Sequence, residues 1–201
     1  MTTTAPTRER LLQAAREVIE EGGYGAATVA AIAERAGVAA GTLYRHFASK
    51  EELFVELFRV ACDGEIRAMK AASDGMASDA THTDRLESVL ATFARRALRR
   101  PRLAWALLAE PVDPLVDAER LAYRERYREL TARTLRSAIA AGELPLLREA
   151  DVELTSAALV GGCGEVLVGP LSPLAGPDSP PAEEILTGLR AFVRRAVGAR
   201  S

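Results

Sequence analysis

TVAAIAERAGVAAGTLYRHF, residues 28–47, reads as two short helices joined by a tight turn, and the rest of the chain is organised around it. Thr28 stands where an N-cap hydroxyl takes an unpaired amide, and Ala31, Ile32 and Ala33 give the first helix a small apolar face. Gly37 supplies the positive φ of the turn. Ala33 is small enough for two helices to cross, and Leu43 plugs the crossing from the second helix. Leu43 and Phe47 belong to the core, which leaves Thr42, Tyr44, Arg45 and His46 polar and outward, followed by Ser49 and Lys50. The spacing predicts a helix-turn-helix, the unit that lays its second helix in the major groove of DNA.

The flanks extend the pattern. Upstream, Leu11, Ala15 and Val18 form a stripe with Leu12 and Ile19 beside it, predicting a helix over 7–21 that Gly22-Gly23 stops. Downstream, Ser49-Lys50-Glu51-Glu52 has the form of a capping box, serine at the cap and glutamate three on. The helix it opens is expected to reach about Ala72 and to be the only element touching both the N-terminal unit and the helical body.

These stretches, RERLLQAAREVIEEGGYGAATV (8–29) and IAERAGVAAGTLYRHFASKEELF (32–54), together resemble the DNA-binding domain of the TetR (tetracycline-repressor) family of bacterial regulators. The resemblance implies an all-α fold. It implies an N-terminal three-helix DNA-binding domain at 1–48, with its motif at 28–47, and a helical ligand-binding and dimerisation domain at 49–201. The activity implied is that of a homodimeric repressor on a palindromic operator in double-stranded DNA, released by a small-molecule effector. Carried over position by position, Thr28, Tyr44, His46 and Lys50 match residues that grip phosphates. Gly41 and Thr42 match positions that approach base edges, and Arg45 has the reach for a guanine or a phosphate. Alternative readings pack Tyr44 on the first helix, make His46 a capping or core histidine, and leave Lys50 solvated. The chain departs from the family pattern at Ala39-Ala40, where a serine and a long polar residue are usual. That removes a cap worth about 1 kcal/mol and a base contact worth about 1–3 kcal/mol. Arg8 and Arg10 either reach the DNA backbone or decorate a solvated helix start.

Composition sets the outer bounds. A chain of 201 residues with 48% apolar and 27% charged residues describes a small head and a larger helical body. Net charge is −2, and residues 1–60 hold seven Lys/Arg against eight Asp/Glu, so any affinity for DNA rests on local placement rather than overall charge. Cys62 and Cys163 stand a hundred residues apart without CxxC or CxxH spacing, which indicates neither a disulfide framework nor a zinc site. The start MTTTAPTRER has no apolar core, and no stretch reads as approaching about 18 apolar residues. The expectation is a cytoplasmic protein with no membrane partner.

Beyond residue 72 the sequence predicts a loop over 73–83 and then helices over about 86–99, 103–109, 114–141, 150–168 and 181–197. A proline-rich break at 169–181 precedes the last. Phe58, Cys62, Met69, Phe93, Trp105, Tyr123, Tyr127 and Cys163 are candidates to line a ligand pocket, with Glu65, Arg67 and Glu110 as polar groups that orient the ligand; ordinary core is the alternative for each apolar one. The helix over 150–168, apolar nearly all round and carrying Gly161-Gly162, and the final helix are the candidate dimer surface; the alternative makes the former the core of a monomer. With two histidines, no metal spacing, no GxSxG and no glycine-rich phosphate loop, the sequence points to neither an enzyme nor a cofactor. A further alternative is a helical dimer with weakened DNA contacts that acts through a protein partner or by binding ligand.

Overall fold

The computed structural model describes residues 6–172, 175–176 and 179–198, and its described elements are all helical. The first helix, α1 (Thr7–Gly22), buries Leu11, Ala14, Ala15, Val18 and Ile19. It stops at Gly23, whose φ of 81° and ψ of 179° favour glycine, and a single 3₁₀ turn (Tyr24–Ala26) leads on. In α2 (Val29–Ala36) Thr28 Oγ1 caps the start by accepting from the Ala31 amide at 3.1 Å. Gly37, at φ 65°, closes it: the Gly37 amide donates to Glu34 O and the Val38 amide to Ala33 O, each at 3.0 Å.

The second arm of the motif is a 3₁₀ run over Ala40–Arg45, tighter than the α-helix expected. Ala39 has no side-chain oxygen to cap the exposed amides, and Gly41 and Thr42 are weak helix formers. The bonds are therefore of the i→i+3 kind, from Thr42 to Ala39 O at 2.8 Å and from His46 to Leu43 O at 3.0 Å.

Ser49 does cap α3 (Lys50–Asp74), accepting from the Glu52 amide at 3.2 Å. The Glu52 carboxylate returns to the Ala48 amide, one residue earlier than a capping box would have it. The full capping box begins inside the stretch expected to be loop, at Thr81. Thr81 Oγ1 accepts from the Asp84 amide at 3.0 Å and Asp84 accepts from the Thr81 amide at 3.2 Å, opening α4 (His82–Arg99). Arg100 and Pro101 lead into α5 (Pro101–Leu108). Asp113 caps α6 (Pro114–Ala140), accepting from the Leu115 amide at 2.8 Å, and a proline occupies the first helical position. Just past α6, the Glu143 carboxylate accepts from the amides of His82 and Thr83 at 2.9 Å each. Burial works against its charge, but those bonds hold its carboxyl below the usual range.

After a 3₁₀ turn, α7 (Val152–Leu171) continues through Gly169-Pro170, past the expected end at 168. Within the expected break, Pro173, Leu174, Pro177 and Asp178 lie outside the described residues. The chain finishes in α8 (Ala182–Ala196). The expectation that no stretch approaches membrane-spanning length is corrected here. The helical stretch Glu149–Leu171, with a mean hydropathy of 1.4, is long and apolar enough to cross a membrane, yet Val152, Leu159, Cys163, Leu167 and Leu171 pack into the protein core. Leu154 and Val166, on its outer side, are 74% and 47% exposed.

Two apolar clusters hold the molecule. One runs without a break from α1 and α2 through Phe47 and α3 to Leu103, Val116, Tyr123, Tyr127 and Leu130; the other joins α4, α6, α7 and α8. The α3 helix is not the only bridge between head and body. The α1 helix also packs on α5, Arg100 donates to Glu20 at 3.0 Å, and the Glu110 carboxylate accepts from the Tyr24 amide at 3.1 and 3.0 Å.

A Cβ on Gly23 would sit 3.1 Å from Glu110 Oε1, at a backbone angle side chains avoid. Gly23→Ala is expected to lower unfolding stability by about 1–3 kcal/mol. Gly25→Ala, where nothing lies within 4 Å of the added carbon, should change it by less than about 0.5 kcal/mol. Urea melts of the two variants check this; equal midpoints would remove the role given to the Gly23 turn.

Candidate nucleic-acid interface

Leu43 and Phe47 are 0% and 2% exposed and root the Ala40–Arg45 segment in the head. Around that base Gly41, Tyr44, Arg45 and His46 are exposed and Thr42 is half-buried. Tyr44, at 57% exposure, does not pack on α1. Thr28 is exposed, with its hydroxyl spent on ordering the start of α2. Lys50 opens α3 with its ammonium 5.7 Å from the Tyr24 ring and 5.5 Å from the Phe54 ring, held in place rather than extended.

Arg8 and Arg10 do not reach outward. The Arg8 guanidinium pairs with Glu56 and lies 4.9 Å over the Phe47 ring. Arg10 donates to the Ala36 carbonyl and, at 3.3 Å, to that of Gly37. The turn is thus fastened from α1, 26 residues away in sequence. No helical periodicity announces such a contact. Arg35 ties α2 to α1 through Glu21 at 2.6 Å and Glu17 at 3.5 Å, and its hydrogen bonds hold the Glu21 carboxyl below the usual range. With Glu17, Glu20, Glu21 and Glu56 engaged internally, the exposed Arg45 carries a cation on the outward side, with the His46 imidazole next to it and the half-buried Lys50 beyond.

Among the described residues, two neighbouring cavities open in the body. The larger, about 860 Å³, opens among α1, α3, α4, α5 and α6 and is lined by Phe58, Cys62, Phe93, Tyr123 and Tyr127. The second, about 500 Å³, is lined by Met69, Phe93, Tyr127 and Cys163. Phe93, Leu108, Arg124 and Tyr127 belong to both. Trp105 lines neither; it is half-buried against the second apolar cluster, where a short helix opened by proline turns it. Glu110 is likewise not a cavity group, because its carboxylate is taken by Tyr24. Glu65 does line the larger cavity, paired with Arg96 at 2.6 Å, and so does Arg67.

The tyrosines are locked together. Tyr123 packs edge-on to Phe58 at 5.7 Å and donates to Asp63 at 2.9 Å; burial, then that bond, pushes its phenol up to about 12. Tyr127 lies 5.5 Å from Phe93, and burial, then Cys62 beside it, raises its phenol too. Eight arginines, against three glutamates, line the larger cavity. Sequence periodicity found the apolar lining and missed this charge, because the arginines come from α1, α3, α4, α5's entrance and α6. Among the described residues no group of three His, Cys, Asp or Glu side chains is placed to hold a metal.

Residues 11–57 match the sequence profile of bacterial regulatory proteins, tetR family. The HTH-type transcriptional repressor KstR2 of Rhodococcus jostii is 34% identical over 154 residues, covering 73% of this chain and 71% of that protein. The chain belongs to the TetR family. The HTH-type transcriptional regulator UidR of Escherichia coli is 26% identical over 193 residues, 96% of this chain and 93% of its own. The fold is shared with the regulator FadR from Bacillus subtilis, solved in complex with stearoyl-CoA: TM-score 0.69, 22% identity, 94% of this chain and 95% of that one. This TetR-family protein is accordingly a helix-turn-helix, DNA-binding transcriptional regulator.

Burial pushes both cysteine thiols up to about 12, so at pH 8 only about one in ten thousand is the reactive thiolate. Neither Cys62 nor Cys163 is expected to react with a disulfide reagent in the native protein, and both should react in denaturant. Rapid titration of either thiol without denaturant would contradict the enclosed cavity walls.

Proposed function

We propose that the protein is a homodimeric repressor that binds a palindromic operator and leaves it when a small molecule fills the body. The observation that carries this reading is the exposed run Tyr44, Arg45 and His46 above a fully packed Leu43–Phe47 base, beside carboxylates already paired. In this reading residues 1–48 are the DNA-binding head and 49–201 the ligand-binding and dimerisation body. Tyr44, His46 and Lys50 donate to phosphates, and Thr28 orders the α2 terminus against one. Gly41 and Thr42 lie close to base edges, and Arg45 takes a guanine or a phosphate. Ala39 and Ala40, both exposed, offer methyl groups to thymine.

Dimerisation is assigned to α7 and α8. Leu154 and Val166 are exposed apolar side chains on the outer side of α7. Phe192 of α8, 37% exposed, lies 3.5 Å from the Cβ position of Gly162 and continues the same face. Two copies of each helix close into a four-helix interface. Within the body, Phe58, Cys62, Phe93, Tyr123 and Tyr127, with Met69 and Cys163 deeper in, suit an apolar chain; the stearoyl-CoA bound by FadR is a ligand of that kind. Filling the cavity shifts α3 and α5, which both touch the head, and so changes the spacing of two heads matched to half-sites a helical turn apart or a multiple of it. The relatives are regulators, and a cytoplasmic, non-catalytic protein fits them. The uncapped Ala39 favours a second reading, a dimer with weakened DNA contacts acting through a protein partner.

Titration against the DNA flanking the gene, with random DNA as competitor, separates the two. A competitor-resistant complex supports the repressor; binding no tighter than to random DNA supports the second reading. Tyr44→Ala and Lys50→Ala are expected to weaken the complex about fivefold or more, and Lys50→Ala to flatten the salt slope by about one contact. Unchanged affinity in both would remove these residues from the interface. Val166→Glu should shift the mass in solution from dimer to monomer; an unchanged dimer would move the interface elsewhere.

A further inference from the structure

At the mouth of the larger cavity the head and body share one carboxylate. Arg16 Nε of α1 and Arg100 Nη1, just before α5, both donate to Glu20 Oε1 at 3.0 Å. The two arginines line the cavity; Glu20 does not. All three side chains are about a third exposed or more, which makes the contact weak and exchangeable. Arg99, next in sequence to Arg100 and also in the lining, has no ion pair among the described residues, and neither has the exposed Arg124, which lines both cavities. A protein of net charge −2 therefore gathers eight arginines against three glutamates around one apolar cavity. A single carboxylate oxygen shared by two guanidiniums leaves most of their donors unused, whereas a phosphate offers three acceptor oxygens and up to two charges.

We propose that Glu20 is a built-in stand-in for the anionic head of the cavity's ligand, and that the ligand is an apolar chain bearing a phosphate-class group which takes Arg16 and Arg100 from it. This rests on the reading of the cavity as the effector site. The chain lies along Leu103, Leu107, Phe93 and Tyr127, and the head sits between α1 and α5. Exchange breaks the Glu20 bridge at the contact between those helices. The α1 helix carries Arg8 and Arg10, which grip Glu56 and the Ala36–Gly37 carbonyls. Moving α1 therefore moves the turn, and the ligand acts on the DNA-binding head directly as well as through α3.

The test uses the full chain and calorimetric titration with dodecyl phosphate below its micelle concentration, 1-dodecanol, and inorganic pyrophosphate. Dodecyl phosphate is expected to bind at least about tenfold tighter than either of the others. Glu20→Gln should tighten dodecyl phosphate about threefold or more and leave dodecanol unchanged. Arg16→Gln and Arg100→Gln should weaken the phosphate about tenfold, again sparing dodecanol, with circular dichroism confirming the helices. Dodecyl phosphate that fails to bind, dodecanol binding equally well, or a Glu20→Gln variant that does not gain affinity would each overturn the proposal; pyrophosphate binding equally well would remove the apolar chain from it and so overturn it too. Operator binding is measured separately. The expected pattern in a protein that ignores its operator sustains this inference and sinks the repressor reading, while operator binding with an indifferent Glu20→Gln does the reverse.

Discussion

One stripe of α3, formed by Leu53, Phe54, Leu57, Phe58, Cys62, Ile66 and Met69, is buried along nearly the whole helix. Its first turns close over Phe47 and α1, and its later turns are covered by α4 and α6. The head has too little apolar surface to be independent of this stripe, and the body uses its continuation as a cavity wall. A rigid rod roughly 37 Å long with partners at both ends cannot shift at one end without the other responding. That constraint explains why the apolar core is continuous from the DNA-reading motif to Tyr127.

Charge works on the same joint from the outside. Glu110, Glu20 and Glu56 each fasten an element of the head: the 3₁₀ turn after α1, α1 itself, and the start of α1. None of these contacts is strongly buried, so each contributes modestly and is open to exchange. Together with the Arg35 pairs to Glu17 and Glu21, these contacts engage Glu17, Glu20, Glu21 and Glu56 internally. An overall acidic protein thereby keeps a cationic, hydroxyl-bearing strip at residues 42–50. Affinity for a polyanion follows from where the free charges stand rather than from their sum.

Much of the fold was legible because it is local. Thr28, Ser49 and Asp113 all cap as their chemistry demands, Gly37 and Gly142 take the positive φ their helices end on, and the stripes of α1, α4 and α8 face inward at the spacing of their apolar residues. The departures from the sequence pattern share a cause as well. Arg10, at what looks like a solvated helix start, is spent on the turn; Glu110, a polar group near the expected pocket, is spent on Tyr24; Trp105, the most conspicuous cavity candidate, faces another cluster. In each case the partner is remote in sequence or the direction depends on how a short helix is rolled. The segment after Ala39 tightens to 3₁₀ because a missing cap and a glycine outweigh the pattern of apolar residues around it.

From the sequence alone came the all-helical class, the helix-turn-helix with its two buried plugs, and the outward identity of Tyr44, Arg45 and His46. Interactions between residues three to six positions apart decide these, and such interactions are written in the order of the chain. The cavity, the arginines in its lining, the second and third bridges from head to body and the exposure of Leu154 and Val166 on α7 were decided by tertiary packing. They depend on contacts such as Glu110 with Tyr24, 86 positions apart, and on which faces remain once several helices have competed for the same core.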